Sequence, residues 1–215
     1  MTPLPIFPLG SVLMPGMPLA LRVFEERYLE MMRDVLPSPE REFGVVLIER
    51  GWEVGGGDAR FAVGTLARIA GLQRSGGWVE VVGRGYGRFE VLDWLPDDPY
   101  PRAEVRRLPD LTWADADAGV LAQAETIVRR ALALASEFED QAWSPDVKLP
   151  GEGAERAWRL AGIAPIGPLD RQHLLGCTST VELLDRLVAS VQAAEEARSF
   201  GVQAGPDLDP PDDDT

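Results

Sequence analysis

Along roughly the first hundred residues, apolar positions come in short runs broken by glycine and proline, whereas beyond Pro109 they recur at helical spacing in alanine- and leucine-rich stretches. That change of texture predicts a strand-rich region followed by a helical one. Pro18 to Phe24 reads as a strand with β-branched and aromatic residues at its end. From Glu25 to Leu36, Tyr28, Met31, Met32 and Val35 fall at i, i+3, i+4 and i+7, so a short helix is expected, ended by Pro37 and Pro39. Phe43 to Glu49 is nearly continuously apolar and short enough for a buried strand. Gly55 to Gly57 reads as a loop. Strands over Gly64 to Gln73 and Trp78 to Val82 flank Gly76-Gly77, a hairpin signal because tight primed turns need positive φ. Tyr86 to Leu95 alternates polar and apolar residues, and Pro101 to Leu108 follows a proline-rich turn as a last strand. The glycines of Gly83 to Gly87 mark a bulge or tight corner between strands. Five or six short strands with one early helix predict a small curled sheet or barrel.

In the second half a long helix is expected from Asp115 to Phe138. Its apolar stripe would be Val120, Ala124, Ile127, Val128, Ala131, Leu134, Ala135 and Phe138. Ala154 to Ile163 and Leu169 to Leu175 read as two further helices separated by Pro165-Ile166-Gly167-Pro168. Ser179 and Glu182 form a capping box opening a fourth helix, with Val181, Leu184, Leu187, Val188 and Val191 inward. From Ser199 onward glycine, proline and aspartate dominate, and disorder is expected. The resulting expectation is an α+β chain with a barrel over residues 1–110, helices over 111–198 and an acidic tail over 199–215.

Charge narrows the functions available. The chain has 215 residues and a net charge of −14, distributed as −2 over residues 1–108, −7 over 109–202 and −5 over the last thirteen. A balance this acidic opposes general nucleic-acid binding, which needs a cationic footprint. The amino terminus lacks the basic region of a signal peptide, and no stretch approaches the ~18–20 apolar residues of a membrane span. With a single cysteine, Cys177, the expected location is cytoplasmic.

The search for catalytic groups finds little. Lys148 is the only lysine and belongs to no P-loop, and one histidine, His173, excludes a two-histidine metal helix, so neither metal nor cofactor is expected. Cys177 follows His173 by four residues, a spacing that would let them face each other on one helix as a nucleophile and its base. The plainer account is a small buried cysteine and a surface histidine near a helix end. Gly83-Arg84-Gly85-Tyr86-Gly87-Arg88 suggests a phosphate loop, yet strands stand on both sides of it and no helix N-terminus is at hand. What remains are apolar residues in loop contexts, Met14 and Met17 above all, together with six tryptophans. Such residues suit promiscuous apolar recognition, although the plainer account is that each packs the interface between sheet and helices.

Three segments near the amino terminus carry a resemblance: Leu4-Pro5-Ile6-Phe7-Pro8-Leu9, then Pro15-Gly16-Met17-Pro18-Leu19, then Phe24-Glu25-Glu26-Arg27-Tyr28. With Phe43 to Leu47, Val63-Gly64-Thr65-Leu66-Ala67 and Gly83 to Phe89, they resemble the Lon protease N-terminal domain. Gln172-His173-Leu174-Leu175-Gly176 is similar to its late helical segment, with Gly176 in place of the usual acidic residue. The resemblance runs over about residues 3–195. It implies a PUA-like β-barrel followed by a helical bundle, and a free-standing, non-catalytic module that binds unfolded or degron-bearing polypeptides, with a protease as a further partner. The expected contact residues are Met14, Met17, Trp78 and Trp94. Two other classes stay open: a hydrolase or transferase built on Cys177 and His173, and RNA binding through a local patch of Arg84, Arg88, Arg102, Arg106 and Arg107.

Overall fold

The computed structural model describes residues 3–50 and 59–203. The glycine loop at 55–57 and the acidic residues beyond 203 lie outside these. Six strands, β1 (Leu4–Leu9), β2 (Pro18–Val23), β3 (Glu42–Arg50), β4 (Ala59–Ser75), β5 (Trp78–Leu95) and β6 (Arg102–Arg107), form one sheet. Helix α1 (Glu26–Val35) lies between β2 and β3 in sequence, and α2 (Ala118–Ala135), α3 (Gly153–Ile163), α4 (Pro168–Leu175) and α5 (Thr180–Gln203) follow the sheet. The chain is thus mixed α+β.

Strand order is β2-β5-β4-β3-β1-β6, and β6 also pairs with the C-terminal part of β5, so the pairings β5-β4-β3-β1-β6 return to β5. β2 stands outside that ring, paired with the N-terminal part of β5 through Pro18↔Arg84 to Val23↔Val79. β5 therefore runs unbroken where two strands are expected from sequence. The expected bulge is present: Leu66 pairs with Gly87 and Ala67 with Gly85, leaving Tyr86 as the extra residue. Glycine is required at Gly83, where a Cβ would stand 2.6 Å from the Arg68 carbonyl oxygen.

β1 is a strand that its two prolines, Pro5 and Pro8, conceal in the sequence. Leu4 and Pro5 pair only with β6, and Ile6 to Leu9 pair in parallel with β3, so each proline is bonded on one side at most.

α1 buries Tyr28, Met31, Met32 and Val35, the four residues its periodicity selects, and Tyr28 stacks on Phe7 of β1 at 4.2 Å. The α2 stripe is turned from the expected one. Leu121, Ala124, Val128, Ala131, Leu132 and Ala135 face inward, while Leu134 and Phe138 are exposed. The helix starts after a 3-10 turn at Asp115–Asp117 and stops at Ala135, so Phe138 falls past its end. α5 buries Leu183, Leu184, Leu187 and Val191 and continues to Gln203, five residues into the stretch expected to be tail.

One apolar cluster runs from Phe7, Met14 and Phe43 through Val128, Trp158 and Leu160 to Leu184 and Val191, joining the sheet to the helices. A smaller one fills the ring with Ile6, Val46, Leu66, Phe89, Val91 and Ala103. Arg88 clasps the two halves. Its guanidinium donates to the carbonyls of Leu175 (2.7 Å), Cys177 (2.6 Å) and Pro109 (2.7 Å) and lies over the Trp158 ring. Burial, the largest influence on it, pulls its pKa below the usual arginine value. Gln172 reaches across the same joint to the Val63 carbonyl.

Candidate functional site

The β4–β5 hairpin extends past the ring, and α1 packs beneath it, leaving a groove of about 260 Å³ between them. Leu29, Met32 and Leu36 of the α1 region form one wall, and Leu72, Gly76, Gly77, Trp78 and Val79 form the other. Arg33 and Arg74 also line it. Local sequence produces both walls. The helical period places Met32 and Leu29 toward the hairpin, and Gly76 at φ +59 closes the tight turn that brings Trp78 back against β4.

Trp78 carries the most distinctive chemistry of the groove. The Arg22 guanidinium lies over its ring, 4.9 Å from the centroid. Its indole N–H is buried and has no hydrogen-bond partner among the described residues.

The other expected contact residues lie elsewhere. Met14 and Met17 are 1% and 8% exposed, so the reading of two methionines on an open loop is corrected. Gly16, at φ +81, folds the loop inward, and Met17 N–H donates to the Met14 carbonyl. Met17 then seats on Gly162 of α3, where no Cβ could fit beside it. Trp94 is half-buried sixteen positions further along β5, against the smaller cluster and beneath Arg60. Trp78 and Trp94 therefore do not share a surface.

The cysteine–histidine couple is not assembled either. α4 ends at Leu175, leaving His173 exposed on the helix and Cys177 buried beyond its end. Burial, and then the neighbouring Glu182 charge, push the Cys177 thiol above its ordinary value, the opposite of what a nucleophile needs.

The arginine patch is likewise dispersed. Arg88 is buried against carbonyls, Arg106 is paired with Glu90, and Arg107 binds Glu42 at 2.7 Å and lies over Tyr86. Arg84 is exposed. Among the described residues, no group of three His, Cys, Asp or Glu is placed to hold a metal ion, and no helix is long and apolar enough to cross a membrane.

Of the four contact residues expected from sequence, Trp78 lines this groove, and the residues that line it with Trp78 carry little local signal. Leu29 and Leu36 flank the buried stripe of α1, and Leu72 is one of several apolar residues on a long strand. Only the fold aligns them.

Residues 3–193 match the model of the ATP-dependent protease La (LON) substrate-binding domain. A Lon protease 2 of Herpetosiphon aurantiacus is 30% identical over 193 residues, covering 86% of this chain and 23% of that protein. A Lon protease of Anaeromyxobacter dehalogenans is 34% identical over 115 residues, or 52% of this chain and 14% of that one. The chain thus spans a quarter or less of the curated relatives it matches. Among solved structures, a Lon N-terminal domain protein from Xanthomonas campestris superposes with a TM-score of 0.61 at 33% identity, covering 88% of this chain and 98% of that one. The N-terminal domain of a Mycobacterium avium complex Lon protease gives a TM-score of 0.63 at 17% identity, over 89% and 98% of the two chains, a likeness of fold.

Proposed function

Because this chain belongs to the LON substrate-binding domain family, we propose that it is a polypeptide-binding module that acts without ATPase or peptidase chemistry of its own. Its ligands are unfolded or degron-bearing chains, which it presents to a protease. In this reading the closed ring of strands is a small PUA-like β-barrel, and α2 to α5 are a helical bundle packed on it. The boundary near residue 110 separates two subdomains that share one core.

The observation that carries the reading is the groove between α1 and the β4–β5 hairpin. It is apolar along both walls, bordered by Arg33 and Arg74, and lined by Trp78. Apolar walls take side chains of many shapes, as a binder of unrelated polypeptides needs. Of the four residues expected from sequence, Trp78 makes direct contact. Met14 and Met17 act from within, by fixing the loop that leads into β2, and Trp94 takes no part in this groove.

Binding to a reduced, carboxymethylated protein, with its folded form as the control, tests the proposal. Saturable binding to the unfolded chain alone is expected, weakened about tenfold by Trp78→Ala with little change in melting temperature. Equal binding of the folded control, or none to either form, would sink it.

A further inference from the structure

β2 closes the strand order at one end, so one of its long sides faces no other strand of the sheet. The direction of its main-chain groups follows from its pairing. Gly85 N–H donates to the Met17 carbonyl just before β2, and the register continues as Leu19↔Gly83, Leu21↔Val81 and Val23↔Val79. Antiparallel partners alternate between pairs that exchange main-chain bonds and pairs that do not. Leu19, Leu21 and Val23 thus turn their N–H and C=O groups toward β5, while Pro18, Ala20 and Arg22 turn theirs outward. No other described segment bonds to the outward groups.

The side chains along this edge are those of a docking strip. Ala20 and Arg22 are exposed. Val82, directly opposite Ala20, is 53% exposed, and Phe24, just past the strand end, is 57% exposed. Exposed edges are ordinarily blunted by charge, proline or bulges. Here Pro18 guards only the beginning, and Arg22 is drawn over the Trp78 ring.

We propose that Pro18–Val23 takes up a segment of the client polypeptide as an added antiparallel strand. This rests on the polypeptide-binding reading above and specifies how the chain is read. Ala20 and Arg22 supply N–H donors, and Pro18, Ala20 and Arg22 supply carbonyls, so recognition runs through the client's main chain. Val82 and Phe24 receive apolar side chains at every second client position. Exposed Arg22 and Arg84 favour a segment with carboxylates at its flanks. The occupant is a client and not a second copy of this chain, because pairing two such edges would set exposed Arg22 and Arg84 of one copy against the same arginines of the other.

The test uses a fluorescent peptide of alternating valine and threonine with glutamate at both ends, and two N-methylated forms. Valines on the Val82 face point their amides at β2, whereas threonine amides point away. N-methylating the valines is expected to weaken binding at least about tenfold, and N-methylating the threonines to change it by less than about twofold. Equal effects in the two registers overturn strand addition while leaving capture by the groove intact. Failure of both the unmethylated peptide and the carboxymethylated client overturns the binding reading and this proposal with it. Ala20→Pro, which removes an N–H outside the β5 ladder, is expected to reproduce the loss with the melting temperature kept. If that variant is unfolded, the methylated pair decides the question. A dimer in sedimentation that Ala20→Pro abolishes would assign the edge to a second copy and overturn the proposal.

Discussion

Methionine has no polar group that resists burial, and its flexible side chain fills irregular gaps. That is the use the molecule makes of Met14 and Met17, although their proline- and glycine-rich surroundings suggest a surface loop. The signal that separates the two readings, Met17 lying on Gly162, is remote in sequence and supplied only by packing of α3 against the loop. Met17→Ser should therefore lower stability by about 2–4 kcal/mol in urea titrations, through lost packing and a buried hydroxyl, before any effect on binding is considered. Arg88 was equally opaque, since an arginine between Gly87 and Phe89 on an alternating strand reads as exposed. In the structure its guanidinium donates to the carbonyls of Leu175, Cys177 and Pro109. Arg88→Ala should cost at least about 3 kcal/mol by leaving these acceptors unpaired. Arg88→Lys should restore little, because an ammonium lacks the planar fork that meets three acceptors at once.

Elements whose apolar residues obey one clear period were legible. α1 is the plainest case, with its four inward residues identified by spacing alone, and β2 and β6 match within a residue or two at each end. α2 was legible as a helix but not in its orientation, because alanine and leucine occur all round it and the neighbouring helices choose the face. At the start of α5 the capping pair forms with one change. Glu182 N–H donates to Ser179 Oγ at 3.2 Å, while the Glu182 carboxylate receives the N–H and hydroxyl of Thr178, one residue earlier than expected. The Thr178 N–H is the main reason the Glu182 carboxyl is held below the ordinary glutamate value of 4.5. A depressed carboxyl stabilises the fold above its unfolded pKa, and that contribution is lost as pH falls through the folded value. Glu182→Gln should flatten the acid limb of the stability–pH curve below about pH 4.5 while leaving the neutral region less affected, as read by melting temperature across pH.

At the scale of the molecule, β1 to β6 precede Pro109 and α2 to α5 follow it, but the change of texture there conceals their shared interior. The main apolar cluster spans both halves, and Arg88, Gln172 and the Thr180 hydroxyl on the Thr112 carbonyl fasten them. Tryptophan fluorescence and far-ultraviolet dichroism should accordingly report one coincident transition in denaturant. Two separated midpoints would mean that the halves are energetically independent. The candidate groove was half legible: a hairpin turn and its tryptophan leave a local trace, whereas the meeting of α1 with that hairpin depends on the path of the whole sheet.

β5 belongs at once to the ring, through its C-terminal part, and to the projecting hairpin, through its N-terminal part. The bulge at Tyr86 and the surrounding glycines sit where one becomes the other. The hairpin is thus a cantilever rooted in the ring with no separate joint. A force applied to a captured chain at β2 would load the β2–β5 hydrogen bonds largely in shear, many at once, and reach the ring through a continuous backbone. Such a mounting suits a device that must keep its grip while something else pulls.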